Sequence, residues 1–242
     1  LWLMLRQNKL NKIFILNDHS TAAKLNTRFS TNLFTYLPDP IYDYPNDDSV
    51  LNIREKHDIS TDRIILLCFG MIDAKKNVAL IIDAAKELPD AVAKKLCILV
   101  VGKVREEYTT TLTQSINIAK KENTQLQIEQ VNGFVTDAEM ESYVKQSDWI
   151  SLAYVNFYSS SGVVGLAARH NKPILATQFG VIGQQTQEYG LGISVDARKI
   201  AEITSSLEII VSQEHHYPRS AERFVNEHSP ENFIKCLLQI QC

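Results

Sequence analysis

Two short stretches carry the side chains most able to do chemistry. In GMIDAKKN, from Gly70 to Asn77, Lys76 stands at the start of a predicted helix, where a cation works against the helix dipole. A phosphate to neutralise would explain it, although its neighbour Lys75 gives the pair the look of a solvated turn. In FYSSSGVVGLAARHNKPILAT, from Phe157 to Thr177, the residues Ser159, Ser160, Ser161 and Gly162 open a second predicted helix with hydroxyls and little bulk. Helix starts offer unpaired N–H groups to anions, and small hydroxylated residues let a phosphate come close and add donors. The chemistry both stretches suggest is the holding of a diphosphate.

Other candidates carry less. The adjacent His215 and His216 in QEHHYPRS lack partners at a metal-ligand spacing and read as a surface loop. Asp148 and Glu188 are the right type for acid or base work, but Asp148 directly precedes a predicted strand and reads as a cap of the helix or turn before it. The sequence has no GxSxG, HExxH, GxxxxGK[ST] or strand-following GxGxxG, which removes the usual hydrolase, P-loop and dinucleotide arguments.

The elements that must position these residues follow one repeating unit. Short apolar runs occur at 64–70, 96–102, 126–134, 149–154, 173–177 and 192–196, each bounded by Gly, Asp or Pro or by a longer amphipathic stretch. Continuous apolar runs are strands buried on both faces, so the sheet should be mainly parallel. Between them, Val78, Ile81, Ile82, Ala85 and Leu88 share one helical face, as do Met140, Tyr143 and Val144. The expectation is an α/β fold, a doubly wound, six-stranded Rossmann-like sheet, with ligands bound outside the carboxyl ends of its strands. Gly70, Gly102 and Gly133 fall at those ends, where glycine serves a tight turn or lets backbone approach a ligand.

Composition narrows the class. A formal net charge of -3, with no basic block interleaved with aromatics, argues against a nucleic-acid partner. Cys68, Cys97, Cys236 and Cys242 show no CxxC spacing, and two lie in apolar runs, which fits a reduced, cytoplasmic setting. The opening LWLML is too short for a signal-peptide core or a transmembrane segment and reads as a docked end or a surface for a membrane or partner. The chain begins without methionine, as a fragment would. FTYLPDPIYDYPNDDS carries three prolines and four aspartates and reads as a linker. SPENFIKCLLQI reads as a terminal helix capped by Ser229, with Pro230 at its first position.

In order and spacing, LPDPIYDYP, IILLCFGMIDAKKNVALIIDAAKEL, LCILVVG, VNGFVTDAEMESYVKQSDWISLAY, SSSGVVGLAARHNKPILAT and YGLGISVD resemble the C-terminal donor-binding domain of retaining, group 1 glycosyltransferases of the GT-B fold. The resemblance covers roughly residues 36 to 212. It implies that Lys76 meets the donor diphosphate and supports catalysis there, with Gly70 and Gly102 at the strand ends. Phe134 and Val135 would frame the nucleobase, and Ser159 to Gly162 would bring the diphosphate to a helix start. Three departures stand out. Met71 takes the place of an arginine, and Asn77 that of a glycine. Tyr158 and Leu166 fall where two glutamates of an E-x7-E pair belong. Each lost charge-assisted hydrogen bond is worth about 1.5 to 3 kcal/mol.

The resemblance divides the chain into 1–36, the last strand and helix of an N-terminal acceptor domain; 37–60, a linker and entry helix; 61–228, the donor-binding domain; and 229–242, a C-terminal helix. It implies a nucleotide-sugar substrate of unspecified base, no separate cofactor, no metal, and an acceptor that is a glycan, lipid or small molecule. The remaining acceptor domain would come from absent sequence or another chain. A catalytically silent interaction domain and a GT-B-type epimerase are the rival readings.

Overall fold

The computed structural model describes residues 10–42, 51–212 and 221–238, and these fall into two compact units. The larger spans Asp43–Glu222, and the smaller combines Leu1–Tyr42 with Arg223–Cys242. LWLML, most of the aspartate-rich segment and the His215–His216 pair lie outside the described residues.

The larger unit holds the six expected strands: β3 (Ile64–Phe69), β4 (Leu96–Val101), β5 (Gln127–Val131), β6 (Trp149–Leu152), β7 (Ile174–Thr177) and β8 (Gly192–Val195). All are parallel, in the order β5-β4-β3-β6-β7-β8. Ile64, Leu66 and Cys68 of β3 and Leu96, Ile98 and Val100 of β4 face one apolar core. Ile65, Leu67, Cys97 and Leu99, which alternate with them, are fully buried on the other face. That double burial is why the strand sequences run apolar without a break.

Helices cover both faces: α2 (Ile53–Lys56), α3 (Val78–Lys86), α4 (Asp90–Ala93), α5 (Glu106–Glu122), α6 (Asp137–Gln146), α7 (Gly162–Arg169), α8 (Gly180–Tyr189) and α9 (Ile200–Ser212). The predicted face of α3 is buried at Val78, Ile81, Ile82 and Ala85, and packs between α5 and α9. A capping box starts α6: Thr136 Oγ1 accepts from Glu139 N–H at 3.2 Å, and Glu139 Oε2 accepts from Thr136 N–H at 2.9 Å.

The sheet order reverses between β3 and β6. β3 pairs with β4 from Ile64 to Phe69 but with β6 only at Leu66 and Leu67. The carboxyl ends of β3 and β6 mark the switch point, the crevice position at which doubly wound sheets take their ligands.

In the smaller unit, β1 (Ile13–Leu16) and β2 (Phe34–Leu37) pair in parallel, joined by α1 (His19–Phe29). The segment read as linker thus begins with a strand. Phe34 and Leu37 are buried and Asn26 fixes the register, its side chain accepting from Phe34 N–H at 2.9 Å and donating to Phe34 O at 2.7 Å. α10 (Glu222–Glu227) and α11 (Pro230–Leu238) follow. Ser229 Oγ accepts from Asn232 N–H at 3.2 Å, the expected cap. His228 is buried, stacked on Phe224 with ring centroids 3.9 Å apart and within 3.2 Å of the Tyr36 hydroxyl.

Candidate functional site

The loop after β3 is built largely by backbone. Gly70 N–H donates to Val101 O at 3.0 Å, Ile72 N–H to Lys103 O at 2.9 Å, and Arg105 N–H to Ile72 O at 2.9 Å, so the turns after β3 and β4 are laced together. Gly102 has φ 140°, and a methyl group there would stand 1.9 Å from the Gly70 carbonyl oxygen. The close approach that requires glycine at 102 is thus to the neighbouring loop.

Asp73 Oδ1 accepts from Lys75 N–H at 3.0 Å and from Lys76 N–H at 3.2 Å, winding Ala74–Lys76 into one 3₁₀ turn. Lys76 ends that turn and does not occupy the first residue of α3. Asn77 follows with φ 61°, a left-handed conformation asparagine tolerates. Its buried amide donates to Ala153 O at 3.2 Å and Ala197 O at 2.7 Å. One side chain in a glycine's expected place therefore ties the loop after β3 to those after β6 and β8.

Lys76 Nζ donates a hydrogen bond to the phenol oxygen of Tyr154, beyond β6. A Cβ at Gly70 would stand 3.5 Å from Nζ, an ordinary contact, so it is the φ of 104° that calls for glycine there. Burial lowers the Lys76 pKa to about 8, partly countered by Asp73 and Cys68. Burial likewise raises the Tyr154 phenol and lifts the Cys68 thiol to about 12, so both stay protonated at neutral pH. The result is a poorly hydrated cation at the crevice, an electrostatic partner for an anion.

Tyr154 lies just beyond β6, and the chain starts α7 at Gly162. Ser161 is the N-cap of α7, with Oγ accepting from Val163 N–H at 3.4 Å. Around Gly162 a Cβ would meet open space. Ser159 is exposed and Ser160 half-buried. The structure therefore brings Gly70 and Lys76 together, with Gly102 against Gly70, and puts Ser161–Gly162 at the start of α7 after the neighbouring strand β6. Phe134 and Val135 follow β5, two strands from β3 on the same edge. Their loop is anchored by Asn132 Oδ1, which accepts from Val104 N–H at 3.0 Å, and Phe134 is 84% exposed.

Tyr154 and Asn77 are the contributors that sequence reasoning missed. The available signals were a tyrosine closing an apolar strand and an asparagine directly before the apolar run of α3. A small pocket adjoins Tyr154, lined also by Phe157, Tyr158, Thr177, Phe179 and Arg198. The Arg198 guanidinium lies 4.5 Å from the Phe179 ring centroid and bonds both Asp196 oxygens at 2.8 Å, which depresses the Asp196 pKa to about 2. At the departing positions, Met71 (41%) and Tyr158 (66%) are exposed, whereas Leu166 is buried.

Asp148 is no helix cap. Its Oδ2 accepts from Ile65 N–H at 2.8 Å and from Arg54 at 3.1 Å, pinning the amino ends of β3 and β6 away from the crevice. Glu188 is exposed on α8. Among the described residues no group of three His, Cys, Asp or Glu could hold a metal ion, and no helix is long and apolar enough to cross a membrane.

Solved structures share this architecture. WaaG, a glycosyltransferase involved in lipopolysaccharide biosynthesis, is similar at TM-score 0.66 and 16% identity over 94% of this chain. HepE of Anabaena, solved in complex with UDP and glucose, is similar at 0.72 and 12% over 95%. The chain spans 61% and 62% of those two proteins. The C-terminal domain of the group 1 protein LpcC from Francisella tularensis matches at 0.58 and 16%, covering 84% of this chain and 96% of that one. No curated protein sequence matches. The pattern of the family described as "Glycosyl transferases group 1" matches residues 49–228, most of the chain, and the chain belongs to that family.

Proposed function

We propose that this chain is the donor-binding part of a glycosyltransferase that moves a sugar from a nucleotide-sugar donor to a glycan, lipid or small-molecule acceptor. The observation that carries the reading is the desolvated Lys76 amine held by Tyr154 at the β3–β6 switch point, with the start of α7 following on the same edge. A diphosphate there meets a desolvated ammonium on one side and the N–H groups at the start of α7 on the other. As the glycosidic bond breaks, negative charge grows on the leaving nucleoside diphosphate, and both groups stabilise that charge more than the ground state. Phe134, exposed two strands away, offers a ring for the nucleobase to stack on. UDP and glucose in the structure of HepE make a uridine nucleotide the first donor to try. The acceptor site belongs to a part of the enzyme outside this unit, supplied by the rest of a longer chain or by another chain.

The test is a calorimetric titration of the folded protein with UDP, GDP and ADP and then their sugar conjugates. Binding of one nucleotide, weakened about 10- to 150-fold in Lys76→Ala (about 1.5 to 3 kcal/mol), supports the reading. Buried Leu166, in place of a carboxylate, favours the alternative of a catalytically silent interaction domain. Silence from all three nucleotides would select that alternative.

A further inference from the structure

Lysine has a long, flexible stem, and an amine beside a crevice ordinarily reaches for water. In this protein it turns inward onto a phenol. We infer that Tyr154 is a positioning residue whose buried hydroxyl sets where the Lys76 amine stands at the carboxyl edge of the sheet. The inference rests on the diphosphate reading of the crevice and deepens it.

Three observations carry it. Tyr154 is 3% exposed, and its N–H donates to Leu152 O at 2.7 Å, so its backbone is fixed at the end of β6. Its ring meets Phe157 edge-on, with centroids 5.5 Å apart and planes at 87°, which fixes the direction of the hydroxyl. That hydroxyl accepts from Lys76 Nζ, and the amine lies 4.2 Å from the centroid of the same ring. The ammonium is thus held by a fixed phenol, and its place does not depend on the rotamers of the lysine alone. An anion-binding group serves a ligand best when it is already in place, and the phenol keeps the amine in place.

The charged and titratable groups facing the amine are Asp73 on its own turn, Cys68 on β3 and Tyr154 after β6, with Arg105 3.8 Å from Asp73. Burial dominates over them and holds the amine near pH 8 in its titration. That makes the position of Lys76 measurable without any ligand.

The experiment is competitive acetic anhydride labelling across pH, read at Lys76 by mass spectrometry, in the parent and in Tyr154→Phe. The substitution removes one oxygen and keeps the ring and its contact with Phe157. The expected result is a labelling midpoint that moves from about 8 toward the ordinary lysine value as the released amine reaches water. In parallel, the affinity of Tyr154→Phe for whichever of UDP, GDP or ADP the parent binds should drop about three- to tenfold. A midpoint that stays at about 8 or falls in Tyr154→Phe overturns the positioning role, whether or not the parent binds a nucleotide. A midpoint that moves while the parent binds none of the three sustains the positioning role and overturns the donor reading instead.

Discussion

The amine of Lys76 and the phenol of Tyr154 are hydrogen-bonded across 78 residues of chain, and each follows a different one of the two strands at the switch point. Lys76 is thereby buried enough to lose part of its preference for charge. Several measurable properties depend on that one contact.

Diphosphate affinity should depend on pH with a definite sign. Free Lys76 titrates near 8, and a bound anion raises that value. Below pH 8 the amine is charged with or without ligand, and affinity stays level. Above pH 8 the free protein must take up a proton to bind, so affinity falls as pH rises. Calorimetry from pH 6 to 10 in buffers of different ionisation heat checks both the fall and the proton uptake, and Lys76→Ala should show neither.

The same lysine should be a burden on the fold. Its folded pKa lies below the unfolded value, so its contribution to stability is unfavourable below pH 8 and improves as pH rises from about 8 to 10.5. Lys76→Met is therefore expected to raise unfolding stability at pH 7 by roughly 1 kcal/mol, the usual pattern when a functional group is removed. The gain should vanish above pH 10.5. Urea unfolding at pH 7 and pH 10.5 makes the comparison.

Asn77 combines a left-handed backbone with two hydrogen bonds to strand-end carbonyls. Asn77→Gly keeps the conformation and loses the bonds, at a cost of about 1 to 2 kcal/mol. Asn77→Ala loses both and should cost about 2 to 4 kcal/mol. The order of the two melting temperatures is the decisive reading, since equal values would mean that the backbone at 77 is not strained.

In the smaller unit, burial lowers the pKa of His228, with the Phe224 carbonyl and Glu227 opposing the shift. Protonation therefore favours the unfolded chain. The stability this neutral imidazole contributes is present above pH 6.5 and is lost as pH falls below it. Hydrogen exchange of β1 and β2 at pH 7.5 and pH 5 should show the loosening, and His228→Gln should flatten the difference.

The strands of the large unit were legible because double burial leaves a continuous apolar run, and IILLCF and LCILVV can hardly be anything else. β2 was not, because FTYL sits directly before two prolines and its burial depends on pairing with a strand 21 residues earlier, a tertiary fact. Lys76 and the serine-rich helix start were visible as residue types that local structure did not explain. Tyr154 was not, since a tyrosine ending a strand reads as core until its hydroxyl is seen on the Lys76 amine. Asp148 was misread because its acceptors' partners, Ile65 and Arg54, lie more than eighty residues upstream.

The loop after β5 differs from the others on this edge in how little it touches. Gly133 has open space where a side chain would go, and Phe134 is 84% exposed, while Asn132 keeps the loop's base in place. For protein engineering, positions 133 to 135 form a replaceable cassette. On the proposed donor reading, a library varied there is expected to change nucleotide preference while Lys76 and the start of α7 stay untouched.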